Sequence, residues 1–207
     1  MRAWAGLLAV VTGIQYVVLE AVAAAAWNDP SYRYAYNYIS DLGVPGPRSD
    51  SGQRVIDSPL SAVMNTAFVL QGLGFLVVGL LLARHHPRRL PITAFVVAHA
   101  VGNVLVAAFP SSTGSSFHVI GATLAIAGGN AAAFTIGTAK GSPLKVLSAV
   151  LPLTGLVSIL LLGRVGAGEI DGVWERGGVY SITAWEIAFG VALLVASRRR
   201  LGESAAL

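Results

Sequence analysis

Six stretches of this sequence are long and apolar enough to cross a membrane, which restricts the fold more than any other feature. A helix needs about 20 apolar residues to cross about 30 Å of hydrocarbon. The stretches are 3–26, 59–83, 91–109, 118–138, 145–164 and 178–197. In lipid every backbone polar group must be bonded within the protein, so such segments fold as helices. The expected fold is an all-α membrane protein with six transmembrane helices in one bundle, a single domain over residues 1–207. Composition agrees, with 55% hydrophobic and 12% charged residues. A soluble domain carries about a quarter charged residues. A disordered chain is excluded, and an ordinary soluble enzyme is disfavoured.

Orientation follows from Lys and Arg. Arg2, Arg84, Arg88, Arg89, Lys140, Lys145, Arg198, Arg199 and Arg200 fall on one side. Arg33, Arg48, Arg54, Arg164 and Arg176 fall on the other, with most of the acids. The richer side is cytoplasmic by the positive-inside rule, so both termini are expected inside, in the inner (plasma) membrane. The basic balance is therefore a topology signal, and no nucleic-acid partner is expected. Arg198–Arg200 are placed to touch anionic lipid heads. A signal-peptide reading of the N-terminus is disfavoured by the length of its apolar run and by Glu20 within it. Cys is absent, which excludes disulfides and thiolate chemistry.

Trp4 and Trp27 bracket the first span and read as interfacial anchors ~34 Å apart. Gly121, Ala125, Gly129 and Ala133 form a small-residue stripe for close helix contact. The outer connections 27–58 and 165–177 are long, and long loops in compact proteins are often functional. Residues 43–52 are rich in turn formers. Tyr32, Tyr34, Tyr36 and Tyr38 alternate, so an extended segment would turn all four rings one way. They read as an interfacial belt or lid, or as a sugar or headgroup contact.

Ionisable residues inside a span are costly and are functional candidates by default. Glu20 and Glu186 each lie about two turns from the outer end of a span. His99 lies near the middle of the third span, with Asn103 one turn nearer the outside on the same face. Ser58, Ser61 and Asn65 form a polar stripe on the second span. Gln15, Gln71 and Asn130 lie deeper and read as interhelical hydrogen bonds. An outward-facing cavity would gather most of the others.

The ordered set Asn37-Tyr38-Ile39-Ser40-Asp41-Leu42-Gly43, Ser58-Pro59, Met64-Asn65, Phe109-Pro110, His118 with Gly121, Glu175-Arg176, Tyr180, and Glu186 with Gly190 covers nearly the whole chain. It resembles the bacterial membrane family of domain of unknown function 998. The loop motif is also similar to one in the eukaryotic Frag1/DRAM/Sfk1 family of six-span proteins. Those are linked to GPI-lipid remodelling, lysosomal membranes and lipid asymmetry. The resemblance marks Asn37, Ser40, Asp41, Asn65, His118, Glu175, Arg176 and Glu186 as motif positions. In the loop, Ser40 and Asp41 are suited to capping a turn, with Gly43 supplying positive φ. The rival arrangement turns Asp41 inward to His118 or Arg176. Arg176 could also pair with Glu186 or receive a lipid phosphate.

These residues define three functional readings. The first is binding or processing of a membrane lipid or lipophilic small molecule. Asn37, Ser40, Asn65, His99, Asn103, Glu175, Arg176 and Tyr180 would line its pocket. The second is a membrane hydrolase using Asp41, His118 and Glu186 as catalytic residues. A zinc form would resemble the hydrolases related to alkaline ceramidases, but His85 and His86 lie on the opposite side from His118. No cofactor or metal is expected in the favoured reading. The third is a non-catalytic membrane subunit or sensor.

The orientation is directly testable because the chain carries no native Cys. In intact cells, a membrane-impermeant maleimide should label Ala35→Cys, in the first outer connection, and not Lys140→Cys. The opposite pattern would invert the topology.

Overall fold

A computed structural model describes residues 2–46, 49–50, 55–140, 142, 144–165 and 168–205. Six helices carry the fold: α1 (Arg2–Ala26), α2 (Ser61–Ala83), α3 (Arg89–Ala108), α4 (Ser116–Gly137), α5 (Leu147–Val165) and α6 (Asp171–Ala205). Each is long and apolar enough to span a bilayer, so the chain is a multi-pass membrane protein. Six crossings return both ends to one face.

The helices match the expected spans closely except at α6. That helix starts at Asp171, so the latter half of the expected connection 165–177 is helical. Asp171, Glu175 and Arg176 depress the local hydropathy and conceal these two turns. The same Asp171 stabilises them. Its Oδ2 accepts from the Gly168 N–H at 3.1 Å, and an acid in the first turn complements the helix dipole. Glu186 consequently lies about four turns from the start of α6, rather than two.

The packing order differs from chain order. α1 packs on α2 and α6, α2 on α3, α3 on α4, and α4 on α6. These five close a ring. α5 stands outside it, against α4 and α6. Val150, Leu153, Val157 and Leu160 on α5 are exposed at helical spacing and face the lipid.

The tightest seam is α3 against α4. A Cβ added at Gly102 would strike the backbone of Gly121 and Ala125. One at Gly128 would lie 2.9 Å from both the His99 nitrogen and the Phe95 carbonyl oxygen. The small-residue stripe of α4 thus lets two backbones touch, as expected. Gly129 does something further. Its missing side chain makes room for the His99 ring, whose Nδ1 would lie 2.6 Å from an added Cβ.

Between α1 and α2 the chain folds back over the outer end of the ring. Trp27 is not a lipid-facing anchor: it is 2% exposed and packs on Tyr32, ring centroids 5.2 Å apart. Trp4 remains open to lipid. The four tyrosines do not share a face, because the segment turns. The Tyr36 and Asn37 N–H groups both donate to the Arg33 carbonyl, and the Asn37 side chain accepts from the Arg33 N–H at 3.0 Å. Ser49–Asp50 and Val55–Ile56 then pair antiparallel, the only ladder among the described residues. Residues 47, 48, 51 and 52 of the turn-rich stretch, with Arg48, Arg54 and Pro143, lie outside the described residues.

The α3–α4 seam gives a clean contrast. Gly102→Val should destabilise the protein by about 3 kcal/mol or more, since rigid backbone cannot yield. Gly163→Ala meets nothing within 4 Å and should be neutral or stabilising by a few tenths of a kcal/mol to about 1. Thermal unfolding in detergent would compare them. Equal behaviour would refute the close approach.

Candidate functional site

The loop motif forms a short 3₁₀ turn, Ser40–Gly43, buried at the mouth of the ring. Every end of it is fastened. The Asp41 carboxylate, 0% exposed, accepts from the Tyr38 N–H at 3.0 Å. The Ser58 hydroxyl donates to the Leu42 carbonyl at 2.6 Å. The Asn65 amide donates to the Gly43 carbonyl at 2.8 Å. From α6, Glu175 accepts from the Ile39 N–H and, at 3.4 Å, from the Ser40 N–H. Asp41 therefore closes a turn, as one of the expected arrangements had it. Gly43 is glycine for a different reason than expected. Its φ is not positive; an added Cβ would collide with the Asn65 amide and lie 3.1 Å from the Phe68 ring.

Arg176 ties this turn to α1 and α6. Its Nη1 donates to the carbonyls of Tyr34 at 2.5 Å, Asn37 at 2.9 Å and Gly172 at 3.2 Å. Its Nη2 donates to Glu20 at 3.1 Å and to the Tyr32 hydroxyl. The ion-pair partner is thus Glu20, rather than Asp41 or Glu186. Tyr180 donates to both Glu20 oxygens, at 2.9 and 3.0 Å. The Tyr32 hydroxyl passes its own proton to the Tyr38 carbonyl at 2.8 Å. Burial pushes that phenol well above its ordinary range, so it stays a donor. The guanidinium also lies over the Tyr34 ring, 4.8 Å from its centroid. Gly172 makes the docking feasible, since a Cβ there would sit 2.6 Å from the Tyr34 carbonyl oxygen.

Beneath the turn lies a cavity of about 40 Å³. α1 contributes Tyr16, the loop Ser40, α2 Gln71, α3 His99 and Asn103, and α6 Glu175 and Thr183. Apolar walls come from Phe68, Val106, Ile126 and Ile182 among others. His99 is locked in place. Its Nδ1 bonds the Ala125 carbonyl at 2.7 Å, which makes Nδ1 the protonated nitrogen. Asn103 then donates to the His99 carbonyl at 2.9 Å and faces Nε2 at 3.3 Å.

The candidates read from the sequence divide into three groups. Ser40, His99, Asn103 and Glu175 line the cavity. Asn37, Asp41, Asn65, Arg176 and Tyr180 hold the loop in place. Glu186 is fully buried and reaches the cavity through Gln71, whose Nε2 donates to it at 2.8 Å. Asp41 Oδ2 takes the Tyr38 N–H near the outer end. His118 Nδ1 bonds the Phe109 carbonyl at 2.8 Å. Glu186 sits three turns below Glu175 on α6, about 16 Å. Among the described residues no three His, Asp or Glu side chains gather to hold a metal. Asn130 joins helices as expected, donating to the Gly178 carbonyl at 3.0 Å.

Tyr16 and Thr183 were missed by sequence reasoning. Both had a signal. Tyr16 precedes Glu20 by four residues and Thr183 precedes Glu186 by three, which puts each on the face of a buried carboxylate.

Comparison with known proteins agrees with this architecture. The model of the family described as "Protein of unknown function (DUF998)" matches residues 9–192, and the chain belongs to that family. No curated protein and no solved structure matches it.

Arg176→Met should destabilise the protein by about 3–5 kcal/mol, because it removes the charge that pairs with buried Glu20 and leaves three carbonyls without their donor. It should also make the 27–58 connection a preferred protease target. Intact proteolytic resistance in this variant would show that the loop is held by other contacts.

Proposed function

We propose that the protein binds a lipophilic ligand by a small polar head, held in the cavity beneath the 3₁₀ turn. The membrane is the inner (plasma) membrane, with both termini cytoplasmic and the loop-covered mouth facing outward. One observation carries this reading: a cavity lined by Ser40, Gln71, His99, Asn103 and Glu175 in the interior of a membrane-spanning ring. Polar side chains in such a place are costly unless bonded or used. About 40 Å³ is well below the roughly 150 Å³ that accommodates benzene. The cavity therefore takes a head and leaves the apolar body to lie among the helices or in lipid.

A hydrolytic reading has weaker support. It rests on Asp41 and His118 as motif residues of the sequence. Glu186 lies too deep to complete a triad with them, and Ser40 is bound up in the turn that Glu175 holds. A purely structural subunit would need neither the cavity nor its polar lining.

Native mass spectrometry from mild detergent tests the binding reading. The wild-type protein should retain a lipophilic species at one equivalent. Val179 on α6 also lines the cavity, and Val179→Phe, which adds bulk to that wall, should lose that species at least tenfold with an unfolding temperature within a few degrees of wild type. Equal retention by the variant, or no retained species in the wild type, would overturn the proposal.

A further inference from the structure

The polar groups around the cavity are unbalanced. Gln71 is 3% exposed and lines the cavity. Its Nε2 is committed to Glu186 at 2.8 Å, which leaves Oε1 buried with no partner. Asn103 directs its Nδ2 to His99, and no bond among the described residues uses its Oδ1. The His99 Nδ1 proton goes to Ala125. The Thr183 hydroxyl donates to Val179 at 3.1 Å and keeps only acceptor capacity. Glu175 is an acceptor already engaged by Ile39 and Ser40. The Tyr16 and Ser40 hydroxyls act either way. The cavity lining holds more acceptors than donors, its free donors being those two hydroxyls.

Glu186 lies beside that imbalance and can supply a counter-charge to a cation. Its Oε1 is buried without a partner, and no charged side chain among the described residues is coupled to it. A carboxylate there has no built-in counter-charge. When a cation ionises Glu186, that charge polarises Oε1 through the Gln71 amide and strengthens it as an acceptor. α2 and α3 pack closely at this level: a Cβ at Gly72, next to Gln71 in sequence, would lie 2.9 Å from Asn103 Cβ, and both Gln71 and Asn103 line the cavity.

We infer that the head taken by this cavity is a primary ammonium, held at Gln71 Oε1 and Asn103 Oδ1, with Glu186 as its counter-charge. The inference rests on the binding function proposed above and names its ligand class. An ammonium brings three donors and one positive charge in a compact group. An anionic head would meet acceptors and a carboxylate. A hydroxyl would satisfy a single acceptor and leave Glu186 uncompensated. A quaternary ammonium carries no N–H and exceeds the space. The ammonium belongs either to a free alkylamine or to a lipid headgroup.

Three probes of equal chain length separate these cases: dodecylamine, dodecanol and dodecyltrimethylammonium, each titrated into the full-length protein and read by native mass spectrometry. The wild type should bind one dodecylamine at least tenfold more tightly than dodecanol, and no dodecyltrimethylammonium at that site. Glu186→Gln should abolish the preference for amine over alcohol while alcohol binding persists, which also shows that the variant is folded. Equal binding of amine and alcohol by the wild type would overturn the inference and leave a lipophile-binding cavity. So would an undiminished amine preference in Glu186→Gln. Binding of no probe, or binding that Val179→Phe leaves unchanged, would overturn the cavity function itself. Loss of dodecylamine in phosphatidylethanolamine nanodiscs, with retention in phosphatidylcholine nanodiscs, would identify a lipid head as the source. Retention in both would identify a free amine.

Discussion

A guanidinium buried in a membrane protein must find partners for its donors, and the outer half of this molecule is organised around Arg176 doing so. The nearest anion is Glu20 on another helix, and the nearest carbonyls are those of a loop. Satisfying the charge therefore draws α1, α6 and the first outer connection into one body. The geometry then propagates. Once Tyr34 and Asn37 lie on α6, the following residues have one path, inward over the ring, where Glu175 receives their N–H groups. The motif turn lies at the mouth because a cation in the second turn of α6 requires the carbonyls of Tyr34 and Asn37, just ahead of that turn in the chain. A buried ion pair is weak evidence for net stability, but removing one member is severe. This pair acts chiefly by fixing which loop conformation is allowed.

The six spans were legible because hydropathy over some twenty residues is a long, redundant signal. The positions that it misjudged are informative. Residues 171–177 read as loop because three charges outweigh their neighbours, although once folded Asp171 caps the helix, Arg176 holds loop carbonyls and Glu175 receives loop N–H groups. Trp27 read as an interfacial anchor from its spacing to Trp4; only the returning loop shows that it is covered. The alternation of Tyr32 to Tyr38 would share one face only in an extended segment, whereas Arg33 and Asn37 close a local turn across it. Gly43 was read through its backbone freedom, whereas its neighbour Asn65 in space, distant in sequence, is what forbids a side chain. In each case the deciding contact is non-local.

The candidate site was legible in part, and the division has a physical cause. Polar residues inside spans could be named from the sequence, since each is costly there. Whether they bond one another or face a common space depends on helix order around the ring, which chain order does not supply. α6 closes against α1 and α4, while α5 stays outside. That arrangement brings Gln71 to Glu186 and separates Glu186 from His118.

The ring order also bears on how such a protein is made. The first four helices enter the bilayer as an open arc, α1 at one end and α4 at the other. Neither neighbour in sequence can shut the gap; the sixth helix must slot between its ends, with α5 left as a buttress outside. Until then Glu20 and Gln71 sit in the arc without Arg176 and Glu186, and the loop has nothing to dock on. Biogenesis therefore has an exposed, polar-lined intermediate that persists for the time needed to synthesise about 60 residues, several seconds at typical translation rates. A quality-control factor that recognises unpaired polar groups in lipid would have its clearest target in that interval, before the last stave is in place.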